Sequence, residues 1–331
     1  MLKWVGTVVG MMVLGTAVTA SGAQTATQST VTQAPAAQTA TPFPPVSAKN
    51  FTAASPTVDE VNAFLTAIWG YDTTRIWSVA AILKTKAPGV SRVVVYVGDK
   101  ANPGKTSQTA FFTTPDGKHA IADQVIDFGA KPFEETRELL QARANGPAEG
   151  AASKQLELVE FADLQCPHCK EAQDTMENLL KDFPQAHIVF ENLPIPEIHP
   201  YAFRAAAEGV CVRQSKGDAA FFTYAAAVFD KQSDLTPTGV DATLAAAVTA
   251  AGGDPKDAAA CAQTDLAKDE IHASMALAGD LSVDQTPTLV VNGQMLPVTG
   301  LSYDVLKRMI AFRAGQDGVV VHLQPTLSNI K

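Results

Sequence analysis

An α/β fold with a helical insertion, preceded by a small α+β domain, is what three observations in this sequence predict. The first is Cys166-Pro167-His168-Cys169, set between an apolar run, Leu156–Phe161 (LELVEF), and a stretch with Met176, Leu179, Leu180 and Phe183 at helical spacing. That places the motif at a strand-to-helix junction. The second is the order that follows: a strand at His187–Glu191, a helical region over about 200–280, a strand at Thr288–Val291, a turn at Asn292-Gly293, a strand at Met295–Val298 and a helix over Tyr303–Ala314. This reads as β-α-β, a helical insertion, then β-β-α. The third is length: 331 residues exceed one small domain, and the patterns ahead of the motif read as a separate unit.

Residues 1–23 read as a signal peptide: Lys3 precedes an uncharged, mostly apolar run, Trp4 to Val18, with small residues at Val18 and Ala20, or Ser21 and Ala23, for cleavage. The expected address is periplasmic or secreted. An uncleaved anchor is the alternative, and the run is short and Gly-rich for a full span. Residues 24–55 (QTATQSTVTQAPAAQTATPFPP at their start) hold almost no charge and predict a disordered linker.

Residues 56–130 read as the small α+β domain. Thr57 or Ser55 can cap a helix through Val61, Phe64, Leu65 and Ile68. A strand is expected near Arg92–Val97, then a hairpin from Thr109–Thr113 through Pro115-Asp116-Gly117 to His119–Ala122. His119 reads as a surface strand residue. Residues 131–154 read as a linker helix and joint separating the halves: Pro132 in the first turn, Glu134 and Glu135 at the positive end, Arg143 at the negative end, and Asn145-Gly146-Pro147 as the stop before a flexible Glu149–Ala152. Residues 155–316 form the domain with the motif, and 317–331 a tail with one more candidate strand at Val319–His322.

Two thiols at CxxC spacing can close a small disulfide ring and pass it on by exchange. A zinc site needs two further ligands, and neither a second CxxC nor H-x3-5-H spacing is present. A c-type haem site needs His directly after the second Cys, where Lys170 stands. The net charge of −9 without a basic cluster argues against a nucleic-acid partner. All four cysteines follow the signal segment, so Cys211 and Cys261 are left for each other in an oxidising compartment, with two buried free thiols as the alternative.

The motif and element order together resemble the DsbA-like branch of the thioredoxin superfamily, from Leu156 to about Gly315. The resemblance is carried by the Pro167-His168 dipeptide, by Glu160 six positions before Cys166, by His199-Pro200 at a helix entrance, by a helical insertion with a Cys pair, and by Thr286-Pro287-Thr288 before an apolar strand. It implies a thioredoxin-like fold and a protein-disulfide oxidoreductase acting on unfolded or misoxidised secreted proteins. The Cys166–Cys169 pair would be its redox centre, without a further cofactor or metal, and a membrane redox partner would turn it over.

At a helix N-terminus Cys166 should be the attacking sulfur, its thiolate favoured by unpaired N–H groups and the helix dipole. Cys169, one turn in, should resolve the mixed disulfide. Pro167 fits the first turn, and His168 can stabilise the Cys166 thiolate, making the disulfide more oxidising. The alternative for His168 is a solvated surface role. The resemblance places Glu160 under the site as a proton relay for Cys169, the alternative being an exposed carboxylate. It implies a cis Pro287 that turns the Thr286 backbone toward Cys166 to pair with a substrate strand, the alternative being an ordinary loop. Thr at 286 is closer to the isomerases than to the best-known oxidases. The front run Ala110–Asp123 (AFFTTPDGKHAIAD) resembles the DsbC/DsbG dimerisation domain and implies a homodimer; an unrelated small domain would leave a monomer. From a different class, a soft-metal or chaperone role for the thiol pair stays open.

Overall fold

The computed structural model describes residues 42–122 and 125–321. The 1–23 signal segment, residues 24–41 of the linker, and His322 with the rest of the tail lie outside the described residues. The chain divides into two compact units with their boundary between Gly129 and Ala130, and Leu65–Asp72 are grouped with the second.

In the front unit the first helix, α1 (Val58–Trp69), starts at a reciprocal cap: Glu60 N–H donates to Thr57 Oγ1 at 3.2 Å, and Thr57 N–H donates to Glu60 Oε2 at 2.7 Å. An antiparallel five-stranded sheet follows in sequential order: β1 (Arg75–Lys84), β2 (Ser91–Asp99), β3 (Asn102–Thr113), β4 (His119–Ile121) and β5 (Val125–Asp127). β1 was not legible in the sequence, because Ala80 and Ala81 at its centre have weak strand preference and its register shifts between Val79 and Ala81. The Phe64, Phe111 and Phe128 rings pack with centroids 5.0–6.3 Å apart among buried Val61, Ile82, Val93 and Val95.

The described end of the 24–55 linker is a correction to its disordered reading. Phe43 stacks on Tyr96 with centroids 6.2 Å apart, and the N–H groups of Thr52 and Ala53 both donate to the Ile82 carbonyl. Composition underestimated this stretch because it averages over Phe43, which supplies a ring contact that the Ala/Thr/Gln run lacks, and over Phe51, whose backbone bridges to Ile82. His119 lies in β4 within 3.4 Å of Asp116 and 3.7 Å of Asp127.

The second unit is an α/β thioredoxin-like fold with a helical insertion. It opens with α2 (Glu134–Arg143) and β6 (Ala148–Gly150). Then come β7 (Leu156–Ala162), α3 (Pro167–Asp182) and β8 (Ala186–Asn192). The insertion is α4 (Ala202–Lys216), α5 (Asp218–Asp230), α6 (Val240–Ala250), α7 (Pro255–Cys261) and α8 (Asp265–Asp280). β9 (Thr288–Val291), β10 (Gln294–Leu296) and α9 (Tyr303–Gln316) close it. The sheet order is β10-β9-β7-β8-β6, with β7 and β8 parallel and the other pairs antiparallel.

β7 is buried along its whole length, as a central strand covered on both faces must be. Leu156 and Leu158 pack with Met176 and Leu179 of α3 and Leu306 and Ile310 of α9. Val159 and Phe161 pack with Leu140 of α2 and Leu277 of α8. α2 is therefore not a free linker helix. Leu140, 1% exposed, belongs to the core of this unit, and Pro132 stands in the turn before α2, whose first residue is Glu134. The expected flexible joint at Glu149–Ala152 contains part of β6, an edge strand paired to β8. Gly150 (φ 84°) is required there, since a Cβ would sit 2.3 Å from the Ala186 carbonyl. The helix itself is legible in the sequence, but its packing is not, because α2 buries one large side chain; β6 escapes a pattern reading because it is three residues long. Asn292 (φ 42°) and Gly293 (φ 87°) make the two-residue turn between β9 and β10. Val319–Val321 form no strand.

Cys211 of α4 and Cys261 of α7 are joined by a disulfide that closes a loop with a sequence separation of 50. In the chain-entropy model such a loop stabilises the fold by about 4 kcal/mol. Replacing both cysteines by serine should lower the unfolding free energy by that order in urea titration, with Cys166 and Cys169 untouched. A loss below about 1 kcal/mol would mean that the helices hold the loop without the bond.

Candidate active site

β7 delivers the chain to a turn, Asp163–Cys166, and α3 begins immediately after it. Cys166 is the N-cap of α3 with extended backbone (φ −76°, ψ 122°), and Pro167 occupies the first helical turn, where a missing N–H costs nothing. Both thiols are reduced. Cys166 is 5% exposed and Cys169 fully buried. The Cys166 thiol donates to the Thr286 carbonyl at 3.7 Å, so the β9 entrance lies against the sulfur, and the Thr286–Pro287 peptide bond is cis.

The two sulfurs are electrostatically unequal. Hydrogen bonding from the Cys169 thiol is the largest influence on Cys166. With Thr286 and the backbone N–H groups of Cys169 and His168 it outweighs burial and lowers the Cys166 pKa to about 5. Burial, reinforced by that same bond to Cys166, pushes the Cys169 thiol far above the ordinary range. At neutral pH the pair therefore holds one thiolate, on Cys166, and one protonated thiol. His168 is 69% exposed, and its Nδ1 lies 3.0 Å from Glu171 Oε2. Its pKa is raised first by that bond and by the Glu171 charge, then by the charge on Cys166. The imidazole faces Glu171 rather than the sulfur, and the backbone N–H is what His168 offers to Cys166 directly.

Glu160 is 3% exposed, on the α3 side of β7. Gln173, one helical turn beyond Cys169, donates through Nε2 both to Glu160 Oε1 at 3.4 Å and to the Cys169 carbonyl at 2.9 Å. Burial raises the Glu160 pKa to about 8, and nearby Glu149 adds to the rise. The structure thus gathers Cys166, Pro167, Cys169, Glu160, Thr286 and Pro287 at one end of the sheet, with His168 on the solvent side.

Several residues around the motif were not singled out from sequence. Asp163, 1% exposed, accepts from Gln165 N–H at 2.7 Å and Ile195 N–H at 2.9 Å, and its Oδ2 is 2.8 Å from His199 Nδ1. Its backbone N–H donates to Cys169 Sγ at 3.4 Å. Gln165 Oε1 accepts from Tyr201 N–H at 2.7 Å at the entrance of α4. An Asp three residues before the N-cap was a readable turn signal. Ile195 and Tyr201 were not, nor was the pairing of His199, already marked at the helix entrance, with Asp163, because chain folding alone brings these partners together. Among the described residues no group of three or more His, Cys, Asp or Glu is placed to hold a metal ion. Among the same residues, no helix is long and apolar enough to cross a membrane.

A family model described as thioredoxin matches residues 143–311. Among curated proteins, the Na(+)/H(+) antiporters NhaA 3 of Salinispora tropica and NhaA 1 of Salinispora arenicola are 33% identical over 92 residues. That stretch is 28% of this chain and only 13% of each antiporter, so the chain spans a small part of their length. Among solved structures, Proteus mirabilis ScsC in a transitional conformation aligns at 21% identity over 55% of this chain and 77% of its own, with a TM-score of 0.45. BdbD of Bacillus subtilis aligns at 20% identity over 51% and 93%, with a TM-score of 0.45. The thiol-disulfide exchange protein alpha-DsbA2 of Wolbachia pipientis aligns at 20% identity over 53% and 94%, with a TM-score of 0.46.

Proposed function

The chain belongs to the thioredoxin family, and we propose that it is a protein-disulfide oxidoreductase that donates disulfides to secreted or periplasmic proteins through Cys166 and Cys169. The observation that carries this reading is the division between the two sulfurs: a thiolate held at about pKa 5 on Cys166, and a buried thiol raised far above it on Cys169. A stabilised thiolate stabilises the reduced form, and the disulfide is then the stronger oxidant.

Starting from the Cys166–Cys169 disulfide, a substrate thiolate attacks Cys166 Sγ. The S–S bond breaks, Cys169 leaves as a thiolate, and a mixed disulfide joins the substrate to Cys166. Protonated Glu160, linked to the Cys169 carbonyl through Gln173, is the nearby acid that supplies the proton Cys169 must take up. A second substrate thiolate then attacks the substrate sulfur, and Cys166 leaves as its stabilised thiolate. The substrate has lost two electrons and gained a disulfide, and the protein holds the dithiol. A membrane redox partner accepting those two electrons completes the cycle. The Thr286 backbone beside Cys166 is where an extended substrate strand would pair.

Thr286 and the front α+β unit favour a second reading, an isomerase that works as a homodimer. Both readings are decided by the reduction potential of the Cys166–Cys169 pair against glutathione. The donor role predicts a value near the about −120 mV of a strong oxidant. A value near about −270 mV would make the protein a reductant and remove the donor role.

A further inference from the structure

The CPHC turn is also gripped from the helical insertion. After α5 the chain makes a 3-10 turn, Gln232–Asp234. From it the Gln232 side chain reaches back across 66 residues: its Nε2 donates to the Leu164 carbonyl and to the Cys166 carbonyl, each at 3.0 Å. Both amide hydrogens are used. Beside it, Lys170 Nζ donates to the Asp230 carbonyl at 3.2 Å, so the end of α5 is fastened to the start of α3 at two points.

The two carbonyls that Gln232 holds bracket the turn into the nucleophile. Leu164 is 1% exposed, so its oxygen has little access to solvent. The Cys166 carbonyl already accepts from Cys169 N–H at 3.1 Å and Lys170 N–H at 3.2 Å, the first bonds of α3. A third donor on that oxygen draws its negative dipole away from the sulfur of the same residue. It also fixes the N-cap backbone from which the Cys166 side chain departs. Removing the amide would take from the buried Leu164 carbonyl its side-chain donor and leave the Cys166 carbonyl with only its two helix donors, where the local dielectric is low.

We propose that Gln232 is a positioning residue for Cys166, through which the helical insertion orients the nucleophile and stabilises its thiolate. This rests on the reading of Cys166 as the attacking sulfur. The other titratable or charged groups around the turn are Cys169, His168, Lys170 and Glu171 on α3, Glu160 on β7, Asp163 in the turn itself with His199 bonded to it, and Asp230, Lys231 and Asp234 beside Gln232, and all are unchanged in the test below.

The test compares the full chain with Gln232→Met, which keeps the length and removes the donors, and Gln232→Glu, which adds a negative charge. The Cys166 thiolate is titrated by ultraviolet absorbance, and the equilibrium with glutathione is measured in parallel. Gln232→Met should raise the Cys166 pKa so that the thiolate is about tenfold less favoured, with the oxidising equilibrium weakened by the same factor. Gln232→Glu should shift both further in the same direction. A role confined to fastening α5 would lower the melting temperature and leave both titration and equilibrium at wild-type values, and that result overturns the proposal. If the Glu variant does not fold, the near-isosteric Met variant decides alone. A wild-type Cys166 that titrates as a free thiol, near about 8.5, would instead overturn the reading of Cys166 itself.

Discussion

Cys166→Ser is expected to abolish both insulin reduction and the oxidation of reduced ribonuclease A, with no residual turnover above the uncatalysed rate. A serine oxygen cannot form the mixed disulfide, and its hydroxyl does not ionise at any useful pH. The remaining Cys169 cannot substitute, because it is fully buried and burial holds its thiol protonated. Retained turnover in Cys166→Ser would remove the nucleophile assignment. The paired variant has the opposite signature. Cys169→Ala keeps the attacking sulfur and loses the thiol whose attack on Cys166 Sγ would expel a bound substrate, so mixed disulfides formed when the Cys166 thiolate attacks substrate disulfides should accumulate on non-reducing gels. It should also raise the Cys166 pKa, since the Cys169 thiol is the largest influence holding it at about 5. A Cys169→Ala protein that forms no adducts argues against the resolving role.

The parts of this site that could be read in the sequence are those whose chemistry is local. Cys166, Pro167, His168 and Cys169 lie within one helical turn, and Thr286-Pro287 is a dipeptide signal in its own right. β7, β8 and β9 were legible from their apolar residues, Leu156, Leu158, Val159 and Phe161 in β7, Ile188, Val189 and Phe190 in β8, and Leu289, Val290 and Val291 in β9, as buried strands require. What could not be read depends on partners far along the chain. Asp163 meets His199 across 36 residues, and Gln232 meets Cys166 across 66. A glutamine in a loop carries no pattern that distinguishes a donor to the nucleophile's carbonyl from a solvated side chain. β6 is three residues long and owes its existence to the open edge of β8. His168 shows the same limit in another form. Its place in the motif was plain, but the rotamer that turns its ring to Glu171 was not.

Glu160→Gln is expected to make the protein more stable and less active at once. A carboxyl whose folded-state pKa is raised holds its proton in the folded state over pH values where the unfolded chain has released it. Folded Glu160 titrates at about 8 against an ordinary 4.5, so its contribution to stability falls as pH rises through that window. Glutamine carries no charge to desolvate. The variant should therefore match the wild type below pH ~4.5, gain stability progressively above it, and level off above pH ~8 with a gain on the order of 4 kcal/mol. Urea titrations at acid, neutral and alkaline pH measure this directly. A gain that does not grow with pH would mean the carboxyl is solvated. Catalysis should move the other way. The buried Cys169 must take up a proton each time it leaves as a thiolate, and with Glu160 neutralised the acid linked to it through Gln173 is lost. Substrate oxidation should slow by about a hundredfold at neutral pH, and the limb of the pH–rate profile near 8 should disappear. A purely structural Glu160 would give the stability gain with an unchanged profile, so the two measurements separate a buried acid that burdens the fold from one that the reaction uses.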